Sequence, residues 1–376
     1  MVFSVNKKDV SERLQSLISI TPSKSTMMVL SNFKIQADSE TNLITVTATD
    51  LNITTIVKIP ANVLENGSIL VSAKHLSDII NALPETQINF SLKDDHLIIE
   101  CGNSNFTISY IEASLFPEIA FINNDQEFTF AAESFKKLIQ NSTFCAASDA
   151  NQTICNGVYF RLEDKLATMA ATDTKRIGEA KLTSDFTIES PYEIILPTRA
   201  LNFLEKNLSN DIDDIIVKFD EHRISFQIKS TLLISNRYEG KYPSYSVAFR
   251  NLPTTTLMVD KSAFRDAVRR VSLLSEDDDK LIKISLTSSE IKIESLISER
   301  GNAKEVITEF NYDGEEVFYC LNARLLQSIV SVIESDEIVF KFRTTVEPIW
   351  IQNNIDFEGL EIRFILMPMR IDNSRG

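Results

Sequence analysis

The chain has little from which to build a phosphate-binding loop or a metal centre. Only nine glycines occur in 376 residues, and none forms a G-x-x-x-x-G-K, G-x-G-x-x-G or G-x-S-x-G pattern. That excludes the common glycine-rich phosphate cradles and the serine elbow of hydrolases. Three histidines, His75, His96 and His222, lie far apart with no H-x-x-x-H or H-E spacing, so no metal and no cofactor is expected. Four cysteines, Cys101, Cys145, Cys155 and Cys320, are scattered without a C-x-x-C pair, the usage of reduced thiols in the cytoplasm. No apolar run approaches the roughly 18 residues of a membrane span. The opening MVFSVNKKDV lacks an apolar core after a basic end, so neither anchor nor secretory signal is expected.

What the chain does have is one pattern written three times. A helical stripe at 73–83 (AKHLSDIINAL) returns at 198–208 (TRALNFLEKNL) and at 322–332 (NARLLQSIVSV), offsets of 125 and 124 residues. Each copy follows an apolar strand (68–72, 192–197, 316–321) and precedes a strand rich in β-branched and aromatic residues (87–92, 214–219, 337–342). A second element repeats on the same interval, a short strand running into a helix at 3–18, 128–142 and 257–271. Apolar residues there fall at Val10, Leu14, Leu17 and Ile18, at Phe135, Leu138 and Ile139, and at Phe264, Val268 and Val271. This is the spacing of a helix with one buried face. The other helix does the same with Leu76, Ile79, Ile80 and Leu83, with Leu201, Leu204 and Leu208, and with Leu326, Ile329, Val330 and Ile333. Alternating runs such as 43–49, 106–110 and 282–286 predict antiparallel strands with one wet face. The period is far longer than that of a solenoid and matches an ordinary globular domain. The expected fold class is therefore α+β: three repeated domains, 1–127, 128–253 and 254–376, each with two amphipathic helices on antiparallel sheets.

Charge separates by element. Overall, 38 basic and 53 acidic residues give a net charge of −15, which taken whole argues against nucleic acid. The six helical windows (7–18, 73–83, 132–142, 198–208, 261–271 and 322–332) nevertheless hold 13 basic residues against 6 acidic ones. A surface built from these helices would be a positive strip on a negative body, suited to phosphate contact indifferent to sequence. Geometry sets how many helices would be needed. Six helices of about 10 Å width enclose a bore of only about 9 Å, whereas twelve leave about 28 Å. A duplex about 20 Å across passes only the larger bore. Three such domains would thus have to form a head-to-tail dimer to surround DNA.

Specific residues then bring a family into view. Thr49-Asp50-Leu51, Ala171-Thr172-Asp173-Thr174-Lys175-Arg176-Ile177, Gly240-Lys241-Tyr242-Pro243-Ser244-Tyr245 and the ending Leu366-Met367-Pro368-Met369-Arg370-Ile371 stand in the threefold frame. With them the chain resembles the bacterial replicative sliding clamp, the beta subunit of DNA polymerase III, over essentially its whole length. The resemblance implies a non-catalytic homodimeric ring that is opened by a clamp loader and tethers the DNA polymerase III catalytic subunit and other clients to duplex DNA.

Clients of this family dock a short peptide in an apolar cleft. The matching positions are Ile154, Cys155, Thr172, Thr174, Lys175, Arg176, Ile177, Pro243, Leu366, Met367, Pro368, Met369 and Arg370. Adaptable methionines beside a rigid proline suit a wall that repacks around different partners. The family usually carries Gly then His where Thr174 and Lys175 stand, and an aromatic residue near Ile154. The resemblance places DNA contact at Lys24 and Gln152, with Arg199 and Lys206 as further candidates; Lys7, Lys8, Arg265 and Arg269 add the basic face of the first helices. The dimer contact would match Phe106 and Ile108 on an edge strand and Leu273 and Leu274 after a helix, with Asn103 and Asn105 where basic residues are common. Residues 372–376 extend past the usual family end.

Two other readings compete. One is a ring or peptide-binding scaffold paralogue that is never loaded on DNA. The other is a metal-dependent nuclease using Asp173 or the acidic run Glu276, Asp277, Asp278 and Asp279. Four consecutive acids in a loop are ordinarily solvated, and Asp50 and Asp173, each after Ala-Thr, suit a turn in which the carboxylate caps its own backbone.

Overall fold

The computed structural model describes residues 1–22, 26–123, 126–148, 154–209, 212–275, 280–296 and 301–369. The six predicted helices are present: α1 (Lys7–Ile18), α2 (Ala73–Ala82), α3 (Ala132–Gln140), α4 (Thr198–Asn207), α5 (Lys261–Val271) and α6 (Ala323–Val332). Their buried stripes follow the apolar spacing, for example Val10, Leu14 and Leu17 on α1 and Phe264, Val268 and Val271 on α5. Ile18 and Ile79 are the exceptions, half-exposed at the margin of their stripes. Phe203, between Leu201 and Leu204, joins the core of α4.

The chain packs as two compact units, 1–133 with 199–237 and 134–198 with 238–376. The middle repeat contributes strands to both, because each repeat carries two half-sheets that join different composite sheets. The first unit has a five-stranded sheet, in the order Asn62–Glu65, Val2–Asn6, Gln87–Lys93, His96–Cys101, Ser104–Ser109. Its second sheet has nine strands: Ile111–Glu112, Gly67–Ser72, Asn32–Asp38, Leu43–Thr49, Ile53–Pro60, Thr231–Asn236, Arg223–Ile228, Asp214–Phe219 and Phe128–Ala131. Five of these belong to the first repeat and four to the second.

The second unit mirrors that plan. Its nine-stranded sheet runs Tyr192–Pro197, Gly157–Glu163, Leu166–Thr172, Arg176–Thr183, Leu360–Leu366, Ile349–Asn353, Glu337–Phe342, Thr255–Asp260, Phe310–Tyr312. A four-stranded sheet, Lys304–Ile307, Ile291–Ser295, Leu281–Leu286 and Val317–Asn322, completes it. In each nine-stranded sheet a seam joins two repeats: Ile56 lies opposite Leu232 in the first, and Glu179 opposite Arg363 in the second. All these pairings are antiparallel, so one face of each strand can be covered by helices while the other stays wet.

The repeats share local chemistry as well as topology. The first amide of each leading helix donates to a carbonyl beyond the following helix: Lys7 N–H to Thr86 O (3.1 Å), Ala132 N–H to Asp213 O (2.9 Å) and Lys261 N–H to Asp336 O (2.8 Å). Two of these helices also begin with a lysine that reaches across. Lys7 Nζ donates to Asn81 O at 3.1 Å and to Leu83 O, and pairs with Glu85 at 3.1 Å. Lys261 Nζ donates to Ile333 O at 3.1 Å. Each ammonium thereby meets carbonyls at the C-terminus of α2 or α6, where unpaired acceptors and the helix dipole favour a cation.

Lys7 is buried, whereas the adjacent Lys8 is exposed. Lys7→Met should therefore cost about 1–3 kcal/mol by leaving carbonyls and Glu85 without their donor. Lys8→Met should stay within about 0.5 kcal/mol of the parent. Urea denaturation followed by circular dichroism distinguishes them, and equal midpoints for the two variants would contradict this role for Lys7.

Candidate functional site

Two turns with one design flank the seams. In the first, Asp50 Oδ1 accepts from the N–H groups of Asn52 (3.0 Å) and Ile53 (2.7 Å), and Thr49 Oγ1 accepts from Leu51 N–H (3.1 Å). In the second, Asp173 Oδ1 accepts from Lys175 (3.0 Å) and Arg176 (2.9 Å), and Thr172 Oγ1 from Thr174 (3.0 Å). Leu51 and Thr174 occupy the same left-handed position, φ 76° and 73°. Both aspartates thus cap their own turn, and each places its second carboxylate oxygen on a guanidinium: Asp50 on Arg199 at 2.5 Å, Asp173 on Arg176 at 2.9 Å. The repeated acid is a structural device.

In the second unit this turn lies beside the chain's closing segment. Arg176 pairs with Leu366 and Ile177 with Ile365, and Met367 N–H donates to Lys175 O at 2.9 Å. Met369 N–H donates to Cys320 O at 2.7 Å, leaving Met367, Pro368 and Met369 half-buried. Ile177 packs with Trp350 and Ile365, and Tyr245, Ala248, Phe249 and Met367 cover that cluster. Pro243 is exposed, and Tyr245 N–H donates to Pro243 O at 2.7 Å. Ile154 is half-buried, and its Cδ1 fills the place a Cβ on Gly240 would take, while the φ of 128° at Gly240 is one that residues with side chains rarely adopt. The sheet thus brings the second repeat's turn, the 240–249 segment and the 366–369 segment into one apolar surface.

Beneath this surface lies a polar network. Tyr242 Oη accepts from Thr172 N–H (3.1 Å) and donates to Gly157 O (3.3 Å). Buried Glu179 takes Arg363 Nε at 3.1 Å and Tyr245 Oη at 3.2 Å. Arg363 stacks 4.4 Å from the Phe249 ring. Burial first, and the Glu179 carboxylate second, pushes the Tyr245 hydroxyl far above the usual phenol range, so it remains a donor. Arg176 is tied down by Asp173, Ser328 Oγ and Phe144 O (2.7 Å). A charge so committed fixes the turn and has little left to offer a ligand.

Of the thirteen residues matched to the cleft, twelve fall in this region, and Arg370 lies outside the described residues. Their exposure differs. Thr174 and Lys175 are exposed, while Cys155, Thr172, Ile177 and Leu366 are buried and support the surface from behind. Burial pushes the Cys155 thiol up. Tyr245, Phe249, Trp350, Glu179 and Arg363 were not singled out as site residues. Tyr245 already stood in the Gly240 to Tyr245 motif; the others join only through the seam.

The basic candidates divide more sharply. Lys24 and Gln152 lie outside the described residues, as does the acidic run at 276–279. Lys7 must be withdrawn, because its ammonium is buried on the α2 terminus. Arg199 is exposed and, besides pairing with Asp50, donates to Ser19 O (3.1 and 2.5 Å) and Ile20 O (2.7 Å), which fastens the end of α1. Lys8, Lys206, Arg265 and Arg269 are exposed. Arg265 lies 3.3 Å from Asp266, a surface contact worth little. Lys74 on α2 and Arg324 on α6 are exposed as well and were not singled out.

The residues matched to a dimer contact lie on or near open edges. Ser104–Ser109 ends its five-stranded sheet, with Phe106 and Ile108 half-exposed between exposed Asn105, Thr107 and Ser109. Leu273 is 72% exposed and Leu274 half-buried. In the four-stranded sheet, Lys304–Ile307 is an end strand whose Val306 is 41% exposed.

Comparison with known proteins gives these features a common frame. Three family models match in succession: DNA polymerase III beta subunit, N-terminal domain, at residues 1–120; central domain, at 129–244; and C-terminal domain, at 250–370. The chain is 25% identical to the beta sliding clamp of Rickettsia felis, over 98% of this chain and 99% of that protein. It is 24% identical to that of Bacillus subtilis, over 98% and 100%. Among solved structures, a DnaN sliding clamp from Bartonella birtlesii bound to griselimycin superposes with a TM-score of 0.92 at 26% identity, covering 99% of this chain and 100% of that one. The Pseudomonas aeruginosa clamp bound to griselimycin gives 0.92 at 22% identity, with the same coverage. The chain belongs to the DNA polymerase III beta subunit family.

Proposed function

We propose that the chain is a DNA polymerase processivity factor: two copies close head to tail into a ring around duplex DNA, without sequence preference and without chemistry of their own. Repeats 1–127, 128–253 and 254–376 are its clamp domains. One observation carries this reading. Two seams within the chain each complete a nine-stranded sheet, and the half-sheets left over have five strands and four, ending in Ser104–Ser109 and Lys304–Ile307. Pairing each with its complement on a second copy makes a third sheet of nine and leaves neither edge open. Phe106, Ile108 and Val306 lie on those edges, and Leu273 and Leu274 add apolar surface to the same contact.

In this reading the exposed cations Lys8, Lys206, Arg265 and Arg269 face the phosphates, together with Lys24 and Gln152. Encirclement removes the need for tight binding, so an acidic protein can hold DNA with a few weak, sliding contacts. The surface around Pro243, Ile177 and Met367 receives client peptides of the catalytic subunit, the clamp loader and other partners in the cytoplasm.

Replacing Lys8, Lys206, Arg265 and Arg269 together by Ala should shorten retention on nicked circular DNA. It should also flatten the salt dependence by about 0.9 for each phosphate that is no longer neutralised. Unchanged retention and slope would remove these residues from the DNA-facing surface. Deleting residues 367–376 should weaken a fluorescent client peptide about a hundredfold or more while the dimer persists. Undiminished affinity would place the client site elsewhere.

A further inference from the structure

The two seams carry different side chains at matching positions. Ile56 and Glu179 are counterparts, each six residues after its turn Asp, and opposite them across the seam stand Leu232 and Arg363. The segments lying over the seams correspond too, Phe116-Pro117 in the first to Tyr242-Pro243 in the second. Over the apolar pair a groove of about 910 Å³ remains between the 113–121 segment and the sheet, with Ile56, Leu232, Phe116 and Phe121 in its lining. Over the ion pair the corresponding segment is drawn onto the sheet by side chains.

Two contacts do this. Buried Glu179 accepts from Tyr245 Oη at 3.2 Å, and the Arg363 guanidinium lies 4.4 Å from the Phe249 ring centroid and 5.8 Å from that of Trp350. Phe249 and Trp350 meet edge to face at 5.4 Å. One ion pair, joined through Arg363 Nε at 3.1 Å and Nη2, thus reaches Tyr245, Phe249 and Trp350 together. Lys181, 3.5 Å from Glu179, and Glu361, 3.3 Å from Arg363, add charge at its margin. The main-chain hydrogen bonds of the segment are local: Tyr245 N–H donates to Pro243 O (2.7 Å), Val247 to Ser244 O (3.3 Å) and Arg250 to Val247 O (3.2 Å). The fold itself does not require charge here, since the first seam joins its strands with Ile56 and Leu232. A buried ion pair is commonly no more stabilising than apolar residues of similar size.

We propose that Glu179 and Arg363 are positioning residues for the client surface: their pair fixes Tyr245, Phe249 and Trp350 in the arrangement that receives an apolar side chain of a client peptide. This inference rests on the client reading of that surface given above. Ile177 and Ile365 pack against Trp350, and Tyr245, Ala248, Phe249 and Met367 cover them, so a shift of the aromatic side chains reshapes the whole patch. Planarity is part of the device. A guanidinium can bond Glu179 along its edge while offering a flat face to a ring, and an ammonium cannot do both.

The test compares the full parent chain with the double variant Glu179→Ile, Arg363→Leu, which copies the first seam. Trp350 is the single tryptophan of the chain, so its fluorescence reports on this surface alone. The double variant should match or exceed the urea midpoint of the parent, while Trp350 emission shifts to the red and acrylamide quenching rises. In biolayer interferometry the DNA polymerase III catalytic subunit should bind it about tenfold more weakly than the parent. Arg363→Lys, which keeps the charge without the flat face, should also bind more weakly. Full affinity in either variant, an unchanged Trp350 signal in the double variant, or a loss of affinity accompanied by a fallen urea midpoint would each overturn the assignment. Failure of the client reading shows separately, as undiminished binding after deletion of residues 367–376, and that result would take this inference with it.

Discussion

The structure depends on the pairing of sheet edges. A strand that ends a sheet leaves a row of N–H and C=O groups that must be hydrogen-bonded by water, by another element or by a second chain. This chain meets that demand twice internally, where Ile53–Pro60 takes Thr231–Asn236 and where Arg176–Thr183 takes Leu360–Leu366. Repeats separated by more than a hundred residues are thereby fused into two nine-stranded sheets, and the compact units follow the sheets instead of the repeats. The same rule, applied to two of the end strands, Ser104–Ser109 and Lys304–Ile307, is the basis of the proposed ring.

The seams do more than hold repeats together, because each brings side chains from two repeats into one patch. At the second seam, buried Glu179 is compensated by Arg363 and Tyr245, and the aromatic cover over Arg363 supports the surface that carries Pro243 and Met367. A buried carboxylate would be costly alone and is tolerated here because its hydrogen bonds are met. At the first seam an apolar pair occupies the equivalent positions and a groove stays open. One backbone plan thus presents two surfaces of different chemistry, set by a handful of side chains.

Much of this was legible in the sequence wherever the cause is local. The spacing of Val10, Leu14 and Leu17 marks a buried helix face whatever lies opposite. The Asp50 and Asp173 turns are equally local, since each carboxylate bonds amides two and three residues ahead. Lys7 was misread for the opposite reason. Its acceptor on Asn81 is 74 residues away, so composition alone makes it an ordinary solvated cation. Glu179, Arg363 and Trp350 escaped notice likewise, because only the seam register brings them together. Family resemblance pointed to residues that gather at the second seam, but it could not tell which of them face outward, as Lys175 does, and which, like Ile177, support from beneath.

The most direct test of the head-to-tail closure is a disulfide placed across the unseen third seam. Carrying the registers of the two existing seams over to it sets Lys304 opposite Asn105 of a second copy. Antiparallel neighbours lie about 4.5–5.5 Å apart at Cα, within reach of a disulfide. The account predicts that Asn105→Cys with Lys304→Cys, mildly oxidised, gives a covalent species of twice 42.5 kDa. Neither single variant should cross-link alone, and mixing the two should restore the link. A double variant that remains at 42.5 kDa under oxidation, or an Asn105→Cys chain that links to itself, would contradict head-to-tail closure.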